Sequence, residues 1–188
     1  MKKYNISILN GHGKLDGNGT VGVAAADGKK EIHEAKHIIL ATGARSRELP
    51  NIKIDGKKVV GYHQGMVLPE QPKSMVVIGS GAIGCEFAYF YSTIGTKVTI
   101  VEYMPNILPL EDEEVSKTLA KIYKKNGIEI MNEAEVLSVD TSGANCKVKV
   151  KTKKGEELLE CDIVLSAVGI ATNLEGLGLE ENGVKTDK

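Results

Sequence analysis

The sequence lacks the residues and charges that mark several classes of binding protein. Tryptophan is absent and aromatic residues make up 4% of the chain, which argues against a stacking platform for single-stranded nucleic acid. The net charge of -1 leaves no basic excess for nucleic acid or for an anionic membrane surface. No segment approaches the roughly 20 apolar residues of a membrane-spanning helix. We therefore expect no nucleic-acid partner and no membrane partner.

Cysteine is scarce, and its spacing disfavours two common frameworks. The three cysteines are Cys85, Cys146 and Cys161, and no pair has a CxxC or CxxxxC spacing. This number and spacing argue against a disulfide framework and against a zinc site. The apolar run that follows the two N-terminal lysines is too short for a signal peptide. Together these features favour a reduced, cytoplasmic setting.

Histidine does not form a convincing metal site. His33 and His37 are four residues apart in EIHEAKHII, a spacing that places two side chains on one face only in a helix. The segment is predicted to be a strand, so we predict no metal site. His12 and His63 are predicted to lie in turns.

The middle of the chain alternates strands and helices. The three predicted strands are SMVVIGS, KVTIVE and IEIM. The first helix is predicted from about Ala82 to Ile94, with Gly95 as its stop, and the second begins within EDEEVSKTLAKIYKKNG. Strands and helices that alternate with short joins predict a parallel sheet with right-handed crossovers.

Apolar residues at helical spacing predict the face that each helix buries. On the first helix they are Ile83, Phe87, Phe90 and Ile94. On the second helix they are Val115, Leu119, Ile122 and Tyr123. We expect these side chains to face the sheet.

The chain before this repeat is predicted to form short strands and then a loop. The predicted strands are YNISIL, TVGVAAA and IIL. Asp27-Gly28 is a hairpin turn signal between the second of these and EIHEA. Residues 45–74 include Pro50, Pro69 and Pro72, and they are predicted to be a loop that connects two domains.

The chain after the repeat changes to a period of two. The alternating segments are EVLSVDT, CKVKVKT and EELLECD. They predict a three-stranded antiparallel meander. The continuous apolar segment IVLSAVG predicts a strand that returns to the parallel sheet, and the remaining residues are predicted to be loop and turn.

A glycine-rich motif joins the first strand of the repeat to its helix. Gly79, Gly81 and Gly84 form G-x-G-x-x-G. Gly79 permits the tight turn, Gly81 lets the backbone approach a pyrophosphate, and Gly84 lets the helix pack close to the strand. The helix N-terminus offers unpaired amides and partial positive charge to phosphate. The motif alone also fits a structural turn, but its strand–helix context favours a dinucleotide site.

Glu102 predicts which dinucleotide binds. It ends the next strand, about 20 residues further on, where an acid binds the adenosine ribose of a dinucleotide. A carboxylate accepts a hydrogen bond from a ribose hydroxyl but repels a 2′-phosphate, and EYMPN supplies no arginine for that phosphate. We therefore predict NAD rather than NADP. The alternative is that Glu102 is a solvated strand end.

Several motifs in a fixed order resemble those of a known family. They are ATGARSRELP, MVVIGSGAIGCEFA, VTIVEYMPNILP, DEEVSK, CDIVLSAVG and NLEGLGLEENGV. The chain resembles the FAD-dependent pyridine nucleotide-disulfide oxidoreductases over essentially its whole length, and within them the dihydrolipoamide dehydrogenase group. The resemblance implies oxidation of dihydrolipoamide, with electrons passing through FAD to NAD⁺.

The resemblance also implies the fold and the domain organisation. The expected fold is α/β, a Rossmann-like NAD-binding domain with a parallel sheet plus a three-stranded antiparallel meander, flanked by fragments of a FAD-binding domain. Residues 1–45 would be part of the FAD-binding domain, residues 46–169 the NAD-binding domain, and residues 170–188 a return segment toward the FAD-binding domain.

Cofactor-binding residues follow from the same resemblance. Those that would hold the NAD pyrophosphate are Gly79, Ser80, Gly81, Ala82, Ile83 and Gly84. Glu86 and Gly169 match positions at the nicotinamide end, and Val136 matches a backbone contact to adenine. Positions that match FAD contacts are Gly13, Thr42, Gly43 and Ala44. Simpler interpretations remain open: Glu86 as an exposed helix residue, Val136 as core, and Gly13 as part of a common turn.

The sequence also departs from the family. Ile170, Ala171 and Thr172 stand where the family usually has an arginine and, two residues after it, a proline. The CxxxxC redox disulfide and the proton-transfer histidine of the family do not occur in this chain, so we predict no catalytic residue in it. FAD, a homodimer and the dihydrolipoamide of 2-oxoacid dehydrogenase complexes are expected only for the full-length enzyme.

Three functions remain open from the sequence. The leading one is the NAD-binding portion of a dihydrolipoamide dehydrogenase, which binds NAD(H) weakly and is inactive alone. The second is part of a related flavin disulfide reductase, such as a mercuric or coenzyme A disulfide reductase. The third is a stand-alone NAD-binding module.

Overall fold

The chain divides into two compact units. The structure, a computed structural model, describes residues 2–187, and the side chains of residues 3–187. One unit comprises residues 1–44 and 172–188, and the other comprises residues 45–171. This division does not identify a ligand, so the assignment of the parts to FAD and NAD stays a prediction. Among residues 2–187, none of the helices combines the length and apolar character that crossing a membrane requires.

Residues 45–171 are built on a five-stranded parallel sheet. Its strands are β5 (Val59–Val60), β6 (Ser74–Ile78), β7 (Lys97–Val101), β8 (Glu129–Met131) and β12 (Ile163–Ser166). Their order is β5-β12-β6-β7-β8, with every neighbouring pair parallel. The predicted α/β class and the return of IVLSAVG to this sheet are confirmed. The prediction that residues 45–74 are all loop is wrong, because Val59 and Val60 add an edge strand to the sheet.

Helices cover one face of this sheet. They are α1 (Tyr62–Gly65), α2 (Ala82–Thr93) and α3 (Glu113–Lys125). Alternate side chains of the central strands, such as Val77 and Ile100, are fully buried under Ala88, Tyr91 and Tyr123. Gly95 follows α2 with positive φ, as predicted for a helix stop, and Gly127 follows α3 in the same conformation.

The predicted meander covers the other face and is confirmed. Its strands are β9 (Glu135–Asp140), β10 (Cys146–Thr152) and β11 (Gly155–Cys161), antiparallel in the order β11-β10-β9. Val148 and Val150 point inward from β10 and are fully buried against the sheet residues Val76 and Ile78. The lysines that alternate with them face solvent, which is why this segment has a period of two.

The predicted buried face of α2 is correct only in part, because Phe87 packs against the core cluster under the helix. Its buried residues are Gly84, Cys85, Ala88 and Tyr91. Phe90 and Ile94, both predicted to face the sheet, are 54% and 44% exposed. Small residues on the buried side bring the helix axis close to the sheet, and Phe90 and Ile94 are turned outward.

The predicted face of α3 is correct only in part. Tyr123 is buried and its hydroxyl donates to the carbonyl of Cys85 at 2.8 Å, which joins α3 to α2. Leu119 packs at the edge of the same cluster. Val115 and Ile122, however, are 53% and 47% exposed, and the other buried residue of α3 is a serine, Ser116.

The unit of residues 1–44 and 172–188 contains an antiparallel sheet. Its strands are β1 (His12–Gly17), β2 (Thr20–Ala24) and β3 (Lys30–Glu34), in that order. Short 3-10 helices span Lys2–Tyr4 and Glu180–Asn182. Where the chain passes from one unit to the other, β4 (Ala44–Ser46) pairs with β13 (Ile170–Thr172).

Several predictions for this unit need correction. The strand TVGVAAA and the Asp27-Gly28 turn are confirmed. YNISIL and IIL are not strands, because the first begins in a 3-10 helix and continues as irregular chain, and the second is irregular throughout. His12 lies on β1 and His63 on α1, so neither is in a turn. β13 also lies in a segment that was predicted to be loop.

Asp112 sets the start of α3. It is the N-cap residue, and its side chain accepts a hydrogen bond from the N–H of Glu114 at 2.8 Å. We expect Asp112→Ala to lower the free energy of unfolding by about 1 kcal/mol, because the helix loses its cap. Urea denaturation measures this loss. Glu111→Ala removes the neighbouring acid, which lies before the cap, and should change the free energy of unfolding by less than about 0.5 kcal/mol. Equal losses in the two variants would contradict the assignment.

Candidate functional site

A cavity of about 860 Å³ lies at the carboxyl ends of the parallel strands in residues 45–171. β6 and β12 are neighbours, but the chain continues from β6 through α2 to β7 on the side away from β12. Such a switch point leaves a crevice in which open α/β sheets bind ligands. The loops that follow β6 and β12 line the cavity, together with the end of β7 and the start of β9.

The glycine loop packs too closely for side chains at two positions. Gly79 has a φ of +93°, and a Cβ there would lie 2.6 Å from the carbonyl oxygen of Ala167. A Cβ on Gly84 would lie 2.1 Å from the carbonyl oxygen of Gly79. These two glycines let α2 start directly against the end of β6.

Gly81 is the glycine that faces open space. An added Cβ would have no atom within 4 Å, and Gly81 lines the cavity. It is also the N-cap residue of α2, and within the described residues no side chain caps this helix. The first N–H groups of α2 are therefore left for another acceptor, and they carry the positive end of the helix dipole. This arrangement fits an anion such as a pyrophosphate.

Glu102 lies beside this loop and is only 6% exposed. Its Oε2 accepts from the N–H of Ser80 at 2.8 Å and from the Ser80 hydroxyl at 2.6 Å. Its Oε1 accepts from the N–H of Met104 at 2.7 Å. The carboxylate lines the cavity but is already bound to the loop, so it is not a solvated strand end.

Val136 also lines the cavity. It lies on β9 and is 7% exposed. Its carbonyl accepts a hydrogen bond from the side-chain amide of Asn51 at 3.4 Å, and the same amide also donates to the carbonyl of Leu137. These hydrogen bonds hold residues 49–51 against the start of β9, and all three of these residues line the cavity.

Eight of the predicted site residues line this one cavity. They are Gly79, Ser80, Gly81, Ala82, Ile83, Glu102, Val136 and Gly169. Gly169 has a φ of +112°, and its carbonyl accepts from the N–H of Arg47 at 2.9 Å. Gly84 and Glu86 are not among the lining residues: Gly84 is buried against the loop, and Glu86 is exposed on α2. The binding roles of all these residues stay predictions.

The residues predicted to contact FAD lie outside residues 45–171. Gly13 is on β1, opposite Val23. The hydroxyl of Thr42 donates to the carbonyl of Asn173 at 2.7 Å, and the N–H of Asn173 donates to the carbonyl of Gly43 at 3.0 Å. Ala44 begins β4. The FAD contacts of these four residues stay predictions.

All three cysteines are buried, with 3% exposure or less. Burial raises the pKa of the Cys85 thiol to about 11 and that of Cys161 to about 12, and it also raises the pKa of Cys146. Cys146 and Cys161 lie directly opposite each other on β10 and β11. Thiol chemistry requires the thiolate, which these sites disfavour. Among the described residues no three potential metal ligands cluster.

Sequence reasoning missed other residues that line the cavity. Tyr103 follows Glu102 directly, and its proximity to that acid was the one available signal. Ile170 also lines the cavity, at the position where the sequence departs from the family that it resembles. Leu49, Pro50 and Asn51 had no local signal, because their place depends on contact with β9, far along the chain.

Alanine substitutions at two glycines of the loop are expected to have different effects, one on ligand affinity and the other on stability. Gly81→Ala should keep the free energy of unfolding within about 1 kcal/mol of the parent value, because its Cβ meets no atom and only the cap is altered. The methyl group would enter the cavity, so NAD affinity should fall at least about tenfold. Gly84→Ala should instead lower the free energy of unfolding by about 2 kcal/mol, since the Cβ overlaps a backbone carbonyl.

Urea denaturation and calorimetric titration with NAD separate the two effects. Each variant is the control for the other. Equal destabilisation by the two alanines, or unchanged NAD affinity in Gly81→Ala, would show that Gly81 does not border the ligand.

The buried thiols should react slowly with Ellman's reagent in the folded chain. A pKa raised by two units, as for Cys85, lowers the thiolate fraction by about 100-fold at a fixed pH. At pH 8 we expect no fast-reacting thiol in buffer and all three in guanidinium chloride. Cys146→Ala should reduce the number of reactive thiols in guanidinium chloride by one and leave the number of fast-reacting thiols in the folded chain unchanged. A thiol that reacts in buffer at the rate of free cysteine would contradict the assigned burial.

Comparison with known proteins places this geometry in a family. The family model of the pyridine nucleotide-disulphide oxidoreductases matches residues 1–188. The chain is 42% identical over 191 residues to the dihydrolipoyl dehydrogenase of Zymomonas mobilis. The alignment covers 100% of this chain and 41% of that protein. The chain is 40% identical over 204 residues to the dihydrolipoyl dehydrogenase of Rhizobium etli, of which it covers 42%.

Solved structures agree with this match. The crystal structure of LpdA from Mycobacterium tuberculosis superposes with a TM-score of 0.85 at 30% identity, over 100% of this chain and 41% of that one. The chain thus spans about two fifths of the length of the curated relatives it matches. Because the family model matches the whole chain, this chain belongs to the pyridine nucleotide-disulphide oxidoreductase family.

Proposed function

We propose that this chain is the NAD(H)-binding portion of a dihydrolipoyl dehydrogenase. Such an enzyme oxidises dihydrolipoamide and passes the electrons through FAD to NAD⁺. The observation that carries the proposal is that the uncapped N-terminus of α2, at Gly81, opens onto the same cavity as Glu102. One element suits a pyrophosphate and the other a ribose hydroxyl, and a dinucleotide carries these two groups next to each other.

The lining residues suggest an order for the ligand along the cavity. The amides at the start of α2 would hold the pyrophosphate, and Glu102 the adenosine ribose. Val136 would contact the adenine, whereas Gly169 would lie toward the nicotinamide. Glu86 does not line the cavity, so its place at the nicotinamide end is proposed on the family resemblance alone. When bound, NAD⁺ would supply hydride acceptance. The protein would contribute binding and orientation through these residues.

We propose that the chain alone is inactive. Transfer from a dithiol to flavin needs an accessible thiolate pair and a base to deprotonate the substrate. The thiols of this chain are buried and protonated, and none lines the cavity. FAD, proposed for the full-length enzyme, would involve Gly13, Thr42, Gly43 and Ala44 on the strength of the family resemblance.

Exposed apolar side chains support the view that this chain acts within a larger protein. In the unit of residues 1–44 and 172–188, Tyr4, Ile8 and Ile39 are 72%, 63% and 90% exposed. Large apolar side chains with this much exposure fit a surface that another part of a protein covers. We also propose, for the full-length enzyme, a homodimer in the cytoplasm that serves the dihydrolipoamide of 2-oxoacid dehydrogenase complexes.

Calorimetric titration with NAD(H) and NADP(H) tests the NAD assignment. We expect NAD(H) to bind with a Kd above about 1 μM, and NADP(H) at least about tenfold more weakly, because Glu102 repels a 2′-phosphate. Glu102→Ala should narrow the difference between the two dinucleotides. Glu70→Ala, an exposed acid outside the cavity, is the control and should leave the ratio unchanged.

Different outcomes favour different functions. Submicromolar NAD affinity would favour a stand-alone NAD-binding module over part of a flavin enzyme. A preference for NADP(H), or no binding by a folded sample, would refute the proposed function.

A further inference from the structure

Ser80 connects the glycine loop to Glu102 through both of its donors. It lies between the first two glycines of the motif and is fully buried. Its N–H and its hydroxyl donate to the same oxygen, Oε2 of Glu102, at 2.8 and 2.6 Å. Neither donor of Ser80 is therefore available to a phosphate. Within the loop, a pyrophosphate would be limited to the amides at the start of α2.

The bonds to Glu102 leave it little capacity for a ligand. An ionised carboxylate has about four acceptor positions on its two oxygens. Ser80 uses both positions of Oε2, and the N–H of Met104 uses one position of Oε1 at 2.7 Å. One acceptor position remains, on Oε1. The 6% exposure of Glu102 agrees with a single edge that reaches the cavity.

Ser80 is itself held in place. Its carbonyl accepts from the N–H of Leu108 at 2.9 Å and from the thiol of Cys85 at 3.3 Å. These bonds join the loop after β6 to the segment before α3 and to the first turn of α2. Because Ser80 cannot shift without breaking them, the carboxylate that it holds cannot rotate freely.

We propose that Ser80 is a positioning residue that determines specificity by presenting one fixed acceptor of Glu102 to the 2′-hydroxyl of the adenosine ribose. The inference rests on the proposed NAD function of this cavity. A carboxylate held in this way accepts from one ribose hydroxyl rather than from both. It also cannot turn away from a 2′-phosphate, so the loop serine strengthens the discrimination against NADP.

A thermodynamic cycle of binding affinities, which combines one substitution in the protein with one change in the ligand, tests this role. NAD and its analogue lacking the adenosine 2′-hydroxyl are titrated into the parent chain and into Ser80→Ala. We expect Ser80→Ala to weaken NAD about tenfold, the effect of one lost hydrogen bond to a charged group. The same substitution should change the affinity of the 2′-deoxy analogue by less than about twofold, because that ligand does not use the acceptor. A purely structural serine would weaken both ligands equally.

The parent chain alone tests the single acceptor. The 2′-deoxy analogue should bind about tenfold more weakly than NAD, whereas the analogue lacking the adenosine 3′-hydroxyl should bind within about twofold of NAD. Equal losses for the two analogues would overturn the proposal, and this holds even if Ser80→Ala does not fold. Circular dichroism establishes the folding of each variant.

Ser116→Ala is the matched control. Ser116 is a buried serine, 3% exposed, whose hydroxyl donates to the carbonyl of Ile107 and which does not line the cavity. Its loss should leave all three affinities unchanged. If the parent chain binds NAD but Ser80→Ala weakens NAD and the 2′-deoxy analogue alike, only the role of Ser80 fails. If the folded parent chain does not bind NAD at all, the proposed function fails with it.

Discussion

The site depends on the close approach of α2 to the end of β6. A Cβ on Gly84 would lie 2.1 Å from the carbonyl of Gly79, and a Cβ on Gly79 would lie 2.6 Å from the carbonyl of Ala167. Three chain segments therefore meet with only backbone between them. Because no side chain separates them, the first turn of α2 begins at the mouth of the crevice between β6 and β12. A larger spacing would move the helix N-terminus, and with it the unpaired N–H groups, away from the cavity.

This packing also creates the need for the bonds around Glu102. A carboxylate that is 6% exposed must be paired, because an unpaired buried charge is strongly unfavourable. No cation pairs with it among the described residues, and its partners are instead the neutral donors of Ser80 and Met104. The nearby N-terminus of α2 adds favourable potential for a negative charge. The same donors that make burial of this acid tolerable also fix its orientation, so stability and recognition rest on the same contacts.

The sequence pattern predicted the elements of residues 45–171 better than their faces. Period-two alternation identified the meander correctly, because one side of β10 packs on the sheet and the other faces solvent. The predicted face of α2 was wrong in part because hydrophobic periodicity assumes that the largest apolar residues are buried. Here Gly84 and Ala88 are buried for closeness, and Phe90 is left outside. The glycine loop and Glu102 could be predicted from the sequence because both are local signals. The part of the cavity lining formed by Asn51 could not be predicted, because its hydrogen bonds join residues more than eighty positions apart.

The charges that line the cavity add a second basis for selectivity. Glu102 and Glu135 both line it, and no lysine or arginine does among the described residues. Phosphate bound here would be held by neutral backbone N–H groups and a helix dipole, which suit one diphosphate bridge. A further phosphate on the ribose would add about two negative charges beside a buried carboxylate, with no cation to offset them. An arginine added near Glu102 would change this balance only if the acid were also removed, since the two would pair with each other. Selection against NADP would therefore arise from the whole lining of the cavity, with the fixed acid as its strongest part.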